Sequence, residues 1–375
     1  MTQSLALTGE RAKESDVRVI QLDGAQTLAD RVVTDDRFSF GAAPWLRAWE
    51  QAFLPGQGWR GPMKLHAACC ADECYGFVAL ANQAIKGVTV KSLAGYYWPF
   101  RTVCASVDAR EREWFASAIA THFSRPPPST VLRFGPIAED DQSMRALLDA
   151  LREQGWRRMQ KPAGVTIELT LPGDPGALRS QISPSLLKNI DYRRRKIGRD
   201  AGEITFERNV LRGDCEKLTR DLQKVERASW QGMQGGNAKL VGQAEELFWR
   251  NVAALPQGGV EPVAWVLRCA GQAIAFQIHL ETRDTIYKVG SCYDQAWKSY
   301  GPGSLLTYEI FSDVCWRGAR RIDWGRGDSG YKSTWGAVDA GKLYEVLMFS
   351  PGLPGRAALA LARRALAGWT VADDF

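Results

Sequence analysis

The sequence predicts a mixed α/β protein (α+β) with two similar domains. Three observations carry this expectation. Strand-like and helix-like runs alternate along the chain, and the same order of elements occurs twice. A Pro-, Gly- and Ser-rich stretch, "TLPGDPGALRSQISPS", separates the two occurrences and places a boundary near residue 175, giving domains 1–174 and 175–375.

In the first half, "PWLRAWEQAF" (44–53) reads as a leading helix and "KLHAACCADECYGFVALA" (64–81) as a hairpin. "KGVTVKSLAG" is the next strand, "EREWFASAIATHF" a helix, "SRPPPST" a loop, and "STVLRFGP" a strand ending in glycine. The second half repeats this order. "AEELFWRNVAAL" leads, and "PVAWVLRCAGQAIAFQIHLE" (262–281) folds back at Ala270-Gly271. "DTIYKVGSCYD" is a third strand, and "QAWKSYGPG" is a loop. In "SLLTYEIFSDVCWRG", Ser304 is placed to cap a helix whose face carries Leu306, Ile310 and Val314, and Gly318 stops it. A short strand, "RRID", then delivers "WGRGD".

Composition narrows the function classes. Hydrophobic residues make up 45% and charged residues 24%, as in ordinary globular proteins. A net charge of +6 suits an anionic ligand or a nucleic acid without requiring either. The amino-terminal "MTQSLALTGERAKESD" has no signal-like apolar run, and no stretch has transmembrane length, so a cytoplasmic protein is expected. Eight cysteines without paired CxxC spacing read as buried thiols rather than a metal site. Three isolated histidines, with His279 inside a strand-like run, give little support to a Ser-His-Asp or Cys-His centre. Fourteen tryptophans spread over both halves read as core and cleft wall.

Three stretches could carry chemistry. Gly301-Pro302-Gly303-Ser304 stands between a strand and a helix, where backbone N–H groups and the helix dipole suit a phosphate, although a Gly-Pro-Gly before a helix is more often a plain turn. It is neither a Walker loop nor a GxGxxG fingerprint. "SPSLLKNIDYRRRKIGRDAG" puts Leu187, Ile190 and Ile197 on one helical face and Lys188, Arg195 and Arg199 on another. That face is either solvated, an RNA contact, or a clamp on an anionic substrate or cofactor. The third is the glycine-rich turn "DWGRGDSGYKSTWG", with Asp323, Asp328 and Lys332 beside Trp324, Tyr331 and Trp335. Without a secretion signal, its Arg-Gly-Asp triplet has no adhesive context.

Together, "KNIDYRRRK", "RASWQG", "YKVGSCYD", "GPGSLLTYE" and "DWGRGDSGYKSTW" resemble the GNAT-fold acyltransferases of the CelD/Fem-like group, over roughly residues 180–350. The resemblance implies two tandem GNAT-like domains, each a twisted mixed sheet flanked by helices, the first degenerate and the second catalytic. It implies acyl transfer from acetyl-CoA or another acyl-CoA, without a metal, to an amine or hydroxyl, in the setting of polysaccharide or cell-envelope synthesis. In the Fem branch the donor is an aminoacyl-tRNA. The usual [Gln/Arg]-x-x-Gly-x-[Gly/Ala] pyrophosphate loop is replaced here by Gly301-Pro302-Gly303.

Under this resemblance the donor phosphates are expected at Gly301, Gly303, Ser304 and Leu305. Asp323 or Asp294 accepts the proton, and Lys332 with Arg326 holds an anionic group or offsets developing charge. Asp323 could equally hold Lys332 in place. Trp230, Tyr287, Tyr293, Asp328, Tyr331 and Trp335 line the acceptor pocket. A sugar, lipid-linked sugar, peptide amine or small metabolite all remain open as acceptor. A silent scaffold binding a polysaccharide, RNA or synthase partner is the non-enzymatic alternative.

Overall fold

The structure is a computed structural model of the chain and describes residues 13–23, 43–54, 56, 58–71, 73–85, 88–95, 102–234, 238–255, 260–328 and 330–372. Most of the amino-terminal segment read above and Ser329 of the glycine-rich turn lie outside these residues.

The first half comprises β1 (Arg18–Asp23), α1 (Ala43–Phe53), β2 (Trp59–Cys70), β3 (Glu73–Ile85) and β4 (Val88–Leu93). It continues with β5 (Cys104–Ala105), α2 (Ala109–Ser124), β6 (Val131–Ala138), α3 (Gln142–Glu153) and β7 (Arg157–Thr170). Then come α4 (Pro175–Gln181), α5 (Pro184–Asp200), β8 (Ile204–Val210), α6 (Glu216–Arg227), α7 (Trp230–Gln234) and α8 (Gln243–Ala254). The chain ends with β9 (Glu261–Cys269), β10 (Gln272–Glu281), β11 (Thr285–Tyr293), α9 (Pro302–Trp316), β12 (Arg321–Arg326), β13 (Val338–Phe349), α10 (Leu353–Ala365) and β14 (Thr370–Val371).

The strands join one mixed sheet in the order β1-β2-β3-β4-β6-β13-β7-β12-β11-β10-β9-β8, with β5 and β14 beside β3 and β7. Among the described residues its parallel pairings are β4–β6 and β11–β12, one in each half. The repeated order is therefore a repeated topology: strand, helix, antiparallel hairpin, third strand, crossover helix, parallel strand. The halves also share strands. β13 comes from the end of the chain yet lies between β6 and β7, while β7 continues past it to pair with β12.

Alternation across the sheet builds the cores. In β9, Val263, Trp265 and Leu267 face one core while Ala264 and Val266 face another, which explains the near-continuous apolar run. One core, holding α1, α6 and α8, is common to both halves, and the other face carries a separate core over each half. The two leading helices meet in the common core. Phe248 of α8 lies 6.1 Å from Trp45 and 5.6 Å from Phe53 of α1, and Asn251 donates to Gln51 at 2.9 Å.

Some local readings change. The supposed linker holds α4, because Asp174 accepts the Ala177 amide at 2.9 Å and Pro175 occupies the first turn. Gly301, not Ser304, is the N-cap of α9, and Ser304 lies within its first turn. The loop 295–300 is a 3-10 turn capped by Asp294. "SRPPPST" is a loop, as read.

Candidate active site

The parallel β11–β12 pairing covers only Thr285–Tyr287 against Arg321–Asp323. Beyond it β11 runs on to Tyr293 paired with β10, while β12 stays with β7. The two strands splay, and the gap opens into a cleft of about 910 Å³. Its walls come from β10, β11, the start of α9, the turn after β12, α7 and Arg193 of α5.

At one end lies the α9 N-terminus. Gly301 adopts φ 59°, ψ 49°, a left-handed conformation that favours glycine. A methyl group there would collide with the Arg193 guanidinium, so the arginine rests directly on the helix cap. Pro302 has no N–H, and the amides of Ser304 and Leu305 both point to the Gly301 carbonyl, at 3.1 and 3.3 Å. The Gly303 amide and the Ser304 hydroxyl are therefore the donors at this helix end. Lys298 stands beside them, and Lys288, Arg326 and Lys332 continue the positive lining, against one carboxylate, Asp328.

Two of these charged groups hold the turn itself. Asp328 accepts the Lys332 and Ser333 amides, both at 2.8 Å. Desolvation opposes these bonds, but they keep its carboxyl below the usual range. Lys332 Nζ donates to the carbonyls of Trp324 (2.7 Å), Gly325 (3.3 Å) and Arg326 (3.3 Å). An ammonium has three protons, so all its donors are used. The Arg-Gly-Asp triplet is thus a folded turn, with Arg326 packed over Gly164 and bonded to the Ala163 carbonyl.

Tyr331 projects from this turn into the cleft. Its ring packs edge-on against Trp324 and Trp335, and its hydroxyl lies 3.1 Å from Thr307 Oγ1. Thr307 is held by Gln277 Nε2 at 2.7 Å, and His279 Nε2 meets Gln277 Oε1 at 3.2 Å. His279 is fully buried; burial first, then the charges of Lys288, Arg317 and Arg208, keep it neutral. Cys292, beside Trp230 and Gln231, points its thiol at Gln231 Oε1, 2.9 Å away. Burial pushes that thiol up to about 12, so no thiolate nucleophile forms there near neutral pH.

The structure brings Trp230, Tyr293, Gly301, Gly303, Ser304, Arg326, Asp328, Tyr331 and Lys332 to one cleft. It places the other expected residues elsewhere. Asp294 caps the 3-10 turn through Ala296 and faces a different groove. Asp323 is 4% exposed and accepts the Gly325 amide at 2.7 Å. It shares a water-sized cavity with Tyr287, Glu168 and Arg321, on the opposite face of β12 from Trp324. Burial pushes its carboxyl up to about 7. Leu305 and Trp335 are core residues, and Trp335 supports Tyr331 from beneath.

Arg193 and Lys288 were missed as individuals. Both break an apolar pattern: Arg193 falls between the buried Ile190 and Ile197 on one face of α5, and Lys288 follows Ile286 on the inward side of β11. A charged residue at a core register was the available signal. A larger groove, about 1030 Å³, runs between β8 and α6, where Arg268 bonds Glu207 and Asp221 and Arg208 bonds Glu261 and Glu281.

Residues 184–333, less than half of the chain, match the family described as acetyltransferase (GNAT) domain. No curated protein matches the chain in sequence. Among solved structures it is similar in fold to FemX, with 10% identity and a TM-score of 0.54 over 86% of this chain and 93% of that one. A conserved protein of unknown function from Bacteroides thetaiotaomicron gives 12% identity and a TM-score of 0.53 over 88% and 100%. The splayed strands, the α9 N-terminus and the turn bearing Tyr331 all fall within the matched segment.

Proposed function

We propose that this chain transfers an acyl group from an acyl-CoA thioester directly to an amine or hydroxyl acceptor in the cleft between β11 and β12. The observation that carries this reading is the junction of splayed parallel strands with a helix N-terminus on which Arg193 is packed. Gly303 N–H, Ser304 Oγ, Arg193 and Lys298 present donors and positive charge suited to the phosphates of such a donor. The open edge of β11 past Tyr287 offers backbone groups to an extended chain lying in the gap.

Direct attack fits the chemistry of the walls. The one cleft cysteine is a buried, hydrogen-bonded thiol, which disfavours an acyl-enzyme. Holding donor and acceptor together in the reacting geometry supplies up to about 7–11 kcal/mol of the barrier. Tyr331, oriented by Thr307 and Gln277, is the hydroxyl placed to give a proton to the departing sulfur. Lys332 acts by building the turn that carries Tyr331. The resemblance to the CelD/Fem-like group extends this reading to polysaccharide or envelope acceptors. Calorimetric titration with acetyl-CoA tests it: saturable binding is expected, weakened roughly 10- to 100-fold in Arg193→Ala. No saturable heat with the wild type sinks the reading.

One observation favours an aminoacyl-tRNA donor as the second reading. Lys188, Arg195 and Arg199 are exposed on α5, the helix whose Arg193 reaches the cleft. A tRNA that competes with CoA at low salt, and loses its grip steeply as salt rises, would select it.

A further inference from the structure

Lys288 is a buried cation in the cleft wall whose amine faces aromatic rings. It is 8% exposed, and its Nζ lies 4.8 Å from the centre of the Trp324 ring and 6.0 Å from that of Tyr331. Among the described residues nothing forms an ion pair or hydrogen bond with it. The titratable groups around it are Tyr331 and Lys332 from the turn, His279 from β10 and Cys292 from its own strand. Of the two carboxylates expected to accept a proton, Asp294 caps a turn and Asp323 faces the other side of β12, while Asp328, which does line the cleft, holds two amides.

We infer that Lys288 is the proton acceptor of the transfer, its neutral amine taking the proton from the acceptor nitrogen or oxygen as that atom bonds to the thioester carbonyl. This rests on the acyl-transfer reading above. The step balances within the cleft. The acceptor loses one proton to Nζ, the C–S bond breaks with its electron pair on sulfur, and sulfur takes the Tyr331 proton. The resulting Lys288 ammonium and Tyr331 phenolate are neighbours, and the proton returns from one to the other. Burial, and then the charge of Lys332, bring the Lys288 amine down to about 7, so a neutral fraction exists at working pH.

The test has two arms. Trace acetic anhydride labelling of the full chain, read by mass spectrometry on the Lys288 peptide across pH, reports its ionisation without any turnover. A midpoint near 7 is expected, and a midpoint above 9 or no labelling overturns the inference. In the second arm, thiol release from acetyl-CoA is followed in Lys288→Met and Lys288→Arg, with acetyl-CoA affinity measured alongside. A base predicts at least a 100-fold loss in both, affinity unchanged within threefold, and a wild-type rate that rises with pH up to about 7. Activity retained in Lys288→Arg assigns a fixed cation instead and overturns the inference. Failure of acetyl-CoA binding, with the labelling midpoint still near 7, counts against the acyl-transfer reading and not against the ionisation of Lys288.

Discussion

Gly301→Ala separates the two jobs of the α9 cap. The native φ of 59° places an alanine in the left-handed region, which costs about 1 kcal/mol. Its methyl group also meets the Arg193 guanidinium, so the arginine must leave the cap. Stability should fall by about 1–2 kcal/mol, lowering Tm by about 1–3 °C. Displacing Arg193 removes one charge-assisted hydrogen bond to a bound phosphate, worth about 1.5–3 kcal/mol, or roughly 10- to 150-fold in Kd. Scanning calorimetry gives the first quantity, and isothermal titration with CoA gives the second. Pantetheine, which lacks the pyrophosphate and nucleotide, should bind the variant as well as it binds the wild type. Gly303→Ala is the control, because its methyl group meets only Tyr293 Cδ1 at 3.6 Å. A CoA affinity unchanged within threefold in Gly301→Ala, or an equal loss for pantetheine, refutes the phosphate assignment.

Three more predictions concern residues around the cleft. Asp323 has a folded pKa of about 7 against 3.8 for a free carboxyl, so the native state holds a proton that the unfolded chain has lost, and stability falls as pH rises from about 4 to 7. Asp323→Asn should therefore raise stability at pH 8, by ~4 kcal/mol at most, and change little at pH 4; a less stable variant at pH 8 contradicts this. Lys332→Met removes the donor from three carbonyls and should cost about 2–4 kcal/mol in denaturant titrations, with Tyr331 quenching altered; wild-type stability would show that the turn does not need the ammonium. Cys292→Ala should keep thiol release within about fivefold of wild type, since the thiol is not the nucleophile, whereas complete loss with normal folding would point to an acyl-enzyme.

Much of the fold was legible because local signals and tertiary packing agree. Ala270-Gly271, with φ of 46° and 81°, closes the β9–β10 hairpin, and the apolar faces of α2, α5 and α9 point to their cores. The placement of β13 was not legible. Its side chains alternate as in any strand, and nothing local says that it pairs with β6 and β7, about 170–220 residues earlier, rather than with its own half. The site divides along the same line. Gly301, Ser304 and Tyr331 sit in turns whose sequence announces them. Asp323 looked like a strand-end acid, but the side of β12 it faces depends on where β12 meets β11 and β7. Asp294 and Asp328 were eligible acids by sequence, and only the amides they accept show that they are caps. Lys288 lay within a quoted strand, yet its weight depends on burial against Trp324 and Tyr331, which sequence spacing does not encode.

The central claim is that an acyl-CoA occupies the cleft between β11 and β12 with its phosphates on the α9 cap. Hydrogen–deuterium exchange with and without CoA tests it directly. Protection is expected at the Gly303 amide and along the open edge of β11 from Lys288 to Tyr293, with no change in the groove between β8 and α6. Protection confined to that larger groove, around residues 207–225 and 268–273, or no protection at saturating CoA, would contradict it.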